Sequence, residues 1–318
     1  MTGTPPDLER VADAYRTVRE TVGRVIVGQE TAVRLAFATL MCGGHSLLEG
    51  VPGVGKTLLV QSLAAALRVR FGRIQFTPDL MPSDIIGTAV LDPRERETQF
   101  RAGPLFTDLL LADEINRASA KTQAALLEAM QEGAATVDGR RHVLGPHFAV
   151  FATQNPVEHE GTYPLPEAQL DRFLFKIVMG YPSLDEEMAI LSRHHADLPA
   201  DAGAGALAPG DLDACRDAVR AVLVRDEVVG YAAALVRGTR SDARFALGAS
   251  PRAGVMLMRA AKAEAAIEGR DYVIPEDVQA MFAPTLRHRI QLEPAAEIDG
   301  ITSDQALEQT LRGVSVPR

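Results

Sequence analysis

The chain has 318 residues, with 33 Lys and Arg against 42 Asp and Glu, a formal charge of −9. Its length fits one large domain or two ordinary ones, and 47% hydrophobic with 24% charged residues is the balance of a folded globular protein. The acidic excess argues against a general nucleic-acid or anionic-membrane binder, two cysteines argue against a disulfide or cysteine–zinc scaffold, and no apolar run is long enough to span a bilayer.

Thr4-Pro5-Pro6-Asp7 has the chemistry of a helix start, with a capping hydroxyl, prolines where no N–H is needed and an acid at the positive end. It predicts a helix to about Val22, followed by apolar Val25-Ile26-Val27, Gly28 and a second helix over 29–41. Beyond Gly43-Gly44, short apolar strands at 46–49, 71–76, 108–112, 148–153 and 173–178 alternate with helices, notably 56–67 and 120–132. That alternation predicts a parallel sheet covered on both faces. After Tyr181-Pro182 the strand signals stop. Ser183-Leu184-Asp185-Glu186 is a capping box, and helical periodicity runs to the C-terminus around an Ala/Gly/Pro-rich connection at 197–211. The expected organisation is an α/β domain over 1–182 and a helical domain over 183–318.

The strongest motif is Gly50-Val51-Pro52-Gly53-Val54-Gly55-Lys56-Thr57, a complete Walker A pattern between a strand and a helix. Glycines let backbone N–H groups turn towards phosphate oxygens, the helix adds its positive end, Lys56 would neutralise the β/γ oxygens and Thr57 would ligate Mg²⁺. Leu109-Leu110-Leu111-Ala112-Asp113-Glu114 is an apolar strand ending in two acids. In that position Asp113 would hold Mg²⁺ through water and Glu114 would polarise the attacking water. Together the two motifs indicate an NTPase.

Three further residues carry two readings each. Asn155, before Pro156, is a turn asparagine or a group that orients water near the γ-phosphate. Arg172 is a surface arginine paired with Asp171 or a finger that reaches a neighbouring subunit's γ-phosphate. Arg252 follows an N-cap serine and a first-turn proline, so its cation sits at the positive end of a helix. That is unfavourable without an anion nearby, either a nucleotide phosphate or an acidic side chain.

The ordered set GVPGVGKT, RIQFTPDLMPSDIIG, LLLADEINRA, LLEAMQEG, ATQNPVEHEGTYPLPEAQLDRF and GASPRA resembles the MoxR family of AAA+ ATPases over residues 25–290. The resemblance implies an AAA+ P-loop core with an insert in its second helix, matched by 83–103, and a hairpin before the first sensor, matched by 133–146. An all-α lid would follow. It implies that Ile26, Val27 and Gly28 lie against adenine, that Gly53, Val54, Gly55, Lys56, Thr57 and Leu58 hold the nucleotide, and that Thr57 and Asp113 hold Mg²⁺. Glu114 becomes the catalytic Walker B glutamate beside Asp113, Asn155 the first sensor, Arg172 the arginine finger and Arg252 the second sensor. It further implies ATP as substrate, a homo-oligomeric ring (a hexamer), a protein client, a von Willebrand factor A-domain partner and a cytoplasmic location, with nucleotide seated between core and lid.

Related motors leave two alternatives: a metal-chelatase-like motor subunit, and a nucleic-acid translocase. For the translocase only Arg94, Arg96, Arg101, Arg140 and Arg141 supply basic loops. The histidines, including His194-His195, lack metal-ligand spacing, and no serine has the His and Asp partners of a nucleophile.

Overall fold

The computed structural model describes residues 8–92, 97–154, 163–195 and 210–317. Helices α1 (Leu8–Gly23) and α2 (Glu30–Met41) precede strand β1 (Ser46–Glu49), which leads through the glycine loop into α3 (Lys56–Leu67). Then come β2 (Phe71–Gln75), the short α4 (Pro82–Ile86), β3 (Gly87–Asp92), β4 (Glu97–Ala102), β5 (Leu109–Asp113) and α5 (Ala120–Glu132). The hairpin β6 (Ala134–Val137) and β7 (Arg140–Val143), strand β8 (Ala149–Gln154), α6 (Glu167–Leu170) and β9 (Phe175–Val178) complete the core.

Five strands form one parallel sheet in the order β2-β5-β8-β1-β9. The expected parallel sheet is therefore present, and its period of two explains how both faces are filled. Leu109 and Leu111 point into a cluster shared with α1, α2 and α3, while Leu110 and Ala112 point into the cluster under α5. Register places Glu49 beside Gln154 and Val178, and Gln75 beside Asp113. The strands thus end together, and their carboxyl edge carries the Walker motifs.

The 83–103 segment folds as α4 and the antiparallel pair β3–β4. Its base is tight: Gly87 has φ +93°, and a Cβ there would lie 2.2 Å from the Arg101 carbonyl oxygen. The second hairpin turns at Asp138 and Gly139, both with positive φ (48° and 75°), as a two-residue hairpin turn of the favoured twist requires. The two hairpins meet where Phe100 stacks on His142, ring centroids 3.7 Å apart. Arg141 donates to the Glu132 carbonyl at 3.1 Å. Arg94 and Arg96 lie outside the described residues.

Beyond the core, Ser183 and Glu186 form the expected capping box for α7 (Leu184–His195), with Ser183 N–H donating to Glu186 at 2.7 Å. Helices α8 (Asp211–Ala221) and α9 (Asp226–Ser241) follow, then strand β10 (Phe245–Leu247), α10 (Pro251–Ile267) and α11 (Pro275–Leu286). Strand β11 (Gln291–Leu292), α12 (Pro294–Ile298) and α13 (Ser303–Gly313) end the lid. The lid is helical apart from the short antiparallel pair β10–β11. Core and lid also share apolar contacts: α1 packs on α8 and α10 as well as on α2 and α3, within one buried cluster. Arg34 on α2 fixes the same junction by donating to Glu264 on α10 at 2.9 Å. Among the described residues, no helix is long and apolar enough to cross a membrane.

Candidate functional site

The cleft lies at the carboxyl edge of the sheet and is built in two parts. A cavity of about 350 Å³ is lined by Pro52, Gly53, Gly55, Lys56, Thr57, Leu58, Asp113, Glu114, Thr153 and Gln154. Walker A and Walker B residues therefore face one space, because β1 and β5 flank β8 and all three end at the same level. The loop reaches α3 through Gly53 and Gly55 at φ +87° and +91°, a backbone conformation that L side chains rarely adopt. Gly50 sits against the Met179 carbonyl, 2.4 Å from where a Cβ would be, so the loop start is pressed onto the end of β9.

Lys56 Nζ donates to the carbonyls of Gly50 and, at 3.1 Å, Val51. Its ammonium thus has weak backbone partners that an anion would displace. Partial burial lowers its pKa, against the opposing pull of Asp113, Glu114 and Glu49. A cation held partly desolvated beside a glycine nest is the chemistry that a polyphosphate satisfies.

The Walker B acids are held by residues of the quoted motifs to which the sequence assigned no role. Thr153 Oγ1 donates to Asp113 Oδ1 at 2.6 Å and accepts the Glu114 N–H at 2.8 Å. Arg73 Nη2 donates to Asp113 Oδ2 at 2.7 Å. Gln75 Nε2 donates to Glu114 Oε2 at 2.8 Å, and Arg117 pairs with that oxygen at 3.0 Å. Glu114 has φ +55°, so its backbone is turned sharply out of the strand. Arg73 and Gln75 alternate on β2 with buried Ile74, a polar face pointing at Walker B. A β2 residue two positions from another on an otherwise apolar strand was the available signal.

Thr57 and Asp113 line the same cavity, and hydroxyl and carboxylate oxygens are hard donors of the kind that suits Mg²⁺ with several waters retained. No group of three His, Cys, Asp or Glu among the described residues could cage a metal without such help.

A second cavity of about 340 Å³ shares Pro52, Gly53, Gly55 and Leu58 with the first, and adds Val25, Ile26, Val27, Gln29 and Val54 from the core. Tyr181, Pro182, Glu187 and Ile190 close it from the segment that starts the lid. This is the largely apolar space expected for a base beside the phosphate loop. Gly28, at φ +76°, lies beside it. A Cβ there would lie 2.3–2.5 Å from the Glu186 carboxylate, so only glycine fits without displacing it.

Asn155 lies outside the described residues. Strand β8, which leads to it, ends at Gln154 on the wall of the phosphate-side cavity.

Arg172 and Arg252 are both tied to the turn around Asp171, and neither stands at this chain's own phosphate loop. Neither lines the two cavities. Arg172 does not pair with Asp171; its Nη1 donates to the Leu127 carbonyl on α5 at 2.7 Å. Asp171 pairs instead with Arg289 at 2.7 Å and, at 3.9 Å, with Arg252, whose side chain is 52% exposed. That carboxylate is the anion that Arg252 requires at the start of α10, where Ser250 caps the helix. Asp171 and Arg172 lie just before β9, Arg252 and Arg289 are held there through Asp171, and Leu174 N–H donates to the His45 carbonyl just before β1. They therefore sit at the amino edge of the sheet, while the phosphate loop leaves its carboxyl edge. A four-residue strand separates the two by about 13 Å. Within this chain α7 closes the base side of the cleft, while Arg252, like Arg172, stands away from the phosphate loop.

Residues 45–175 match the ATPase family associated with various cellular activities (AAA), and residues 237–310 match the AAA lid domain. The chain is 44% identical to chaperone MoxR1 of Mycobacterium tuberculosis over 306 residues, 93% of this chain and 81% of that one. It is 33% identical to protein MoxR of Paracoccus denitrificans, covering 89% and 90%. It is 47% identical to the uncharacterized protein YeaC of Bacillus subtilis, covering 94% and 93%. A crystal structure of a protein from Cytophaga hutchinsonii superposes with a TM-score of 0.88 at 39% identity, covering 98% of both chains.

Proposed function

Because the chain belongs to the MoxR family of AAA+ ATPases, we propose that it hydrolyses ATP at sites shared between neighbouring copies and uses the resulting motion to remodel protein clients. One observation carries the shared site. The Walker A and Walker B residues lie at one edge of the sheet, and the two arginines that would complete the site lie at the other. A second copy stacked edge to edge brings the halves together.

In that arrangement the loop amides and Lys56 hold the polyphosphate, and the cavity around Val25, Val54 and Ile190 takes the adenine. Thr57 and Asp113 would hold Mg²⁺, which supplies charge neutralisation to the β/γ oxygens. Glu114 orients the attacking water and accepts its proton, while Thr153, Gln75 and Arg117 fix the acid pair. Arg172 of the neighbour stabilises the charge that develops on the transferred group, an effect worth roughly 10³–10⁵ in rate where such fingers act. Tyr181, Glu187 and Ile190 place the base against the root of the lid, so binding and release of nucleotide are felt there.

Family membership supports a chaperone-like role, a closed hexameric ring and a von Willebrand factor A-domain partner. The test is phosphate release by the purified chain and by Arg172→Ala mixed with Lys56→Ala. Each variant alone should be nearly inactive, and the mixture should regain activity through sites with one intact loop and one intact finger. Hydrolysis by Arg172→Ala alone at the wild-type rate would remove the shared site.

A further inference from the structure

The lid residue Arg289 is almost fully enclosed, its side chain 1% exposed. Its guanidinium is spent on one short stretch of the core. Nε donates to Asp171 Oδ1 at 2.7 Å, Nη2 to the carbonyls of Asp171 at 3.2 Å and Phe173, and Nη1 to the carbonyl of Leu174 at 3.1 Å. Nη1 also binds the Thr285 carbonyl on α11, and Nη2 lies against the Met256 sulfur on α10. The neighbouring His288 adds Nε2 on the Phe173 carbonyl at 3.0 Å. These contacts surround Arg172 in sequence, binding residues 171, 173 and 174 but leaving Arg172 itself free to project the other way, towards Leu127.

Asp171 is the hinge of the arrangement. One oxygen is taken by Arg289 and the other faces Arg252 at 3.9 Å. Met256, in contact with Arg289, lies one helical turn beyond Arg252 on α10. A single carboxylate therefore balances two arginines and ties both to the turn that bears Arg172. Burial of Arg289 lowers its pKa to about 10 despite the Asp171 pair, a measure of how far from water it is held. Such a cation is costly unless its geometry is fully satisfied, which here fixes that geometry.

We propose that Arg289, acting through Asp171, is a positioning residue that presents Arg172 and Arg252 as one rigid unit to the neighbouring copy's γ-phosphate. The inference rests on the shared site proposed above. It makes the lid the setter of finger position: when the lid shifts on one subunit's nucleotide, α11 carries Arg289, and the Asp171–Leu174 turn follows. The state of one site is thereby passed to the next site in the ring.

The test uses Arg289→Lys, which keeps the charge but cannot reach all of these acceptors. ATP affinity of the variant should stay within about twofold, since its own loop is distant, and turnover should fall on the order of a hundredfold, the cost of misplacing a catalytic group by about 1 Å. Mixing it with Lys56→Ala should restore turnover, because the defect lies in the finger it offers. Arg172→Ala mixed with Lys56→Ala runs in parallel. If that control recovers and the Arg289→Lys mixture does not, or if Arg289→Lys loses ATP binding or keeps its turnover, the positioning role is overturned. If neither mixture recovers, the shared-site reading falls and this inference falls with it. Should Arg289→Lys fail to fold, Asp171→Asn, which retains an oxygen for Arg289 Nε, carries the same comparison.

Discussion

Thr153 donates its hydroxyl proton to Asp113 across the paired strands β8 and β5, at 2.6 Å, and the same oxygen accepts the backbone N–H of Glu114. One buried hydroxyl therefore sets the orientation of both Walker B acids. Thr153→Val keeps the shape and removes both bonds, leaving a buried N–H unpaired at a cost of about 1–3 kcal/mol. The expected result is a melting temperature several degrees lower and turnover reduced roughly tenfold, by analogy with the loss of groups that orient metal ligands. Thr153→Ser should restore both. Thermal melts and steady-state phosphate release read the two effects separately.

Lys56 and Glu114 separate binding from chemistry. Lys56→Ala removes the cation that faces the loop, and titration calorimetry should show ATP affinity lowered by at least about tenfold, in line with a lost charge-assisted contact. Glu114→Gln keeps the side-chain length and its hydrogen-bonding oxygen. It should bind ATP normally while hydrolysis falls by about two to four orders of magnitude, the usual contribution of a general base. Near-normal turnover in Glu114→Gln would assign the water-activating role elsewhere.

Gly28→Ala tests the base side of the cleft. The new methyl must adopt φ +76° and displace the Glu186 carboxylate, whose capping bond to Ser183 starts α7. Strain of about 1–3 kcal/mol is expected. Because Glu187 and Ile190 of the same helix line the cavity, ATP affinity should drop with it, whereas loss of stability alone, with affinity intact, would detach Gly28 from the base pocket.

Two enclosed histidines predict that stability falls in acid. His45 accepts the Val150 N–H at its Nδ1, 3.0 Å away, and its Nε2 lies 3.2 Å from the Met130 carbonyl, so its neutral form carries the proton on Nε2. Burial holds its pKa down to about 4, and burial followed by the nearby Arg289 charge holds His288 well below its ordinary value. In the unfolded chain both titrate near about 6.5. The unfolded state therefore takes up protons first, and stability is full above about pH 6.5 and lost as pH falls towards 4, by up to about 1.4 kcal/mol per pH unit for each histidine. The melting temperature should be flat above that window and fall within it. His45→Gln should flatten the slope, even if it lowers the plateau. Asp108 and Asp242, whose arginine partners hold their pKa values down, add their loss only below the ordinary carboxylate range.

Much of this architecture is legible in the sequence. The ranges of β1, α3 and α5 follow directly from the sequence, because glycines, a Walker loop and an N-cap serine punctuate strong apolar periods. The strand expected from Phe173 starts at Phe175, since Arg289 takes the carbonyls of Phe173 and Leu174 and holds them in a turn. The β10–β11 pair escaped notice because strands of three and two residues are too short to show alternation. Arg289 sits in the basic run Arg287-His288-Arg289, which reads as a solvated surface, yet it is enclosed because its partners are backbone carbonyls with no sequence signature. Arg252 needed an anion on electrostatic grounds. Only the fold could say that the anion is Asp171 and that the helix start faces away from the chain's own loop.

The placement of the two half-sites at opposite edges of one sheet also restricts symmetry. A two-fold dimer brings like surfaces together, so it would face phosphate loop with phosphate loop and arginine with arginine. Completing a site requires a head-to-tail, heterologous contact, and repeating that contact either closes into a cycle or runs on as a filament. Every copy in a closed cycle then both receives and donates a finger, whereas each open chain leaves one loop without its arginine and one arginine without a phosphate. On the shared-site reading, specific activity should rise with protein concentration until cycles close, so dilution alone would serve as an off switch.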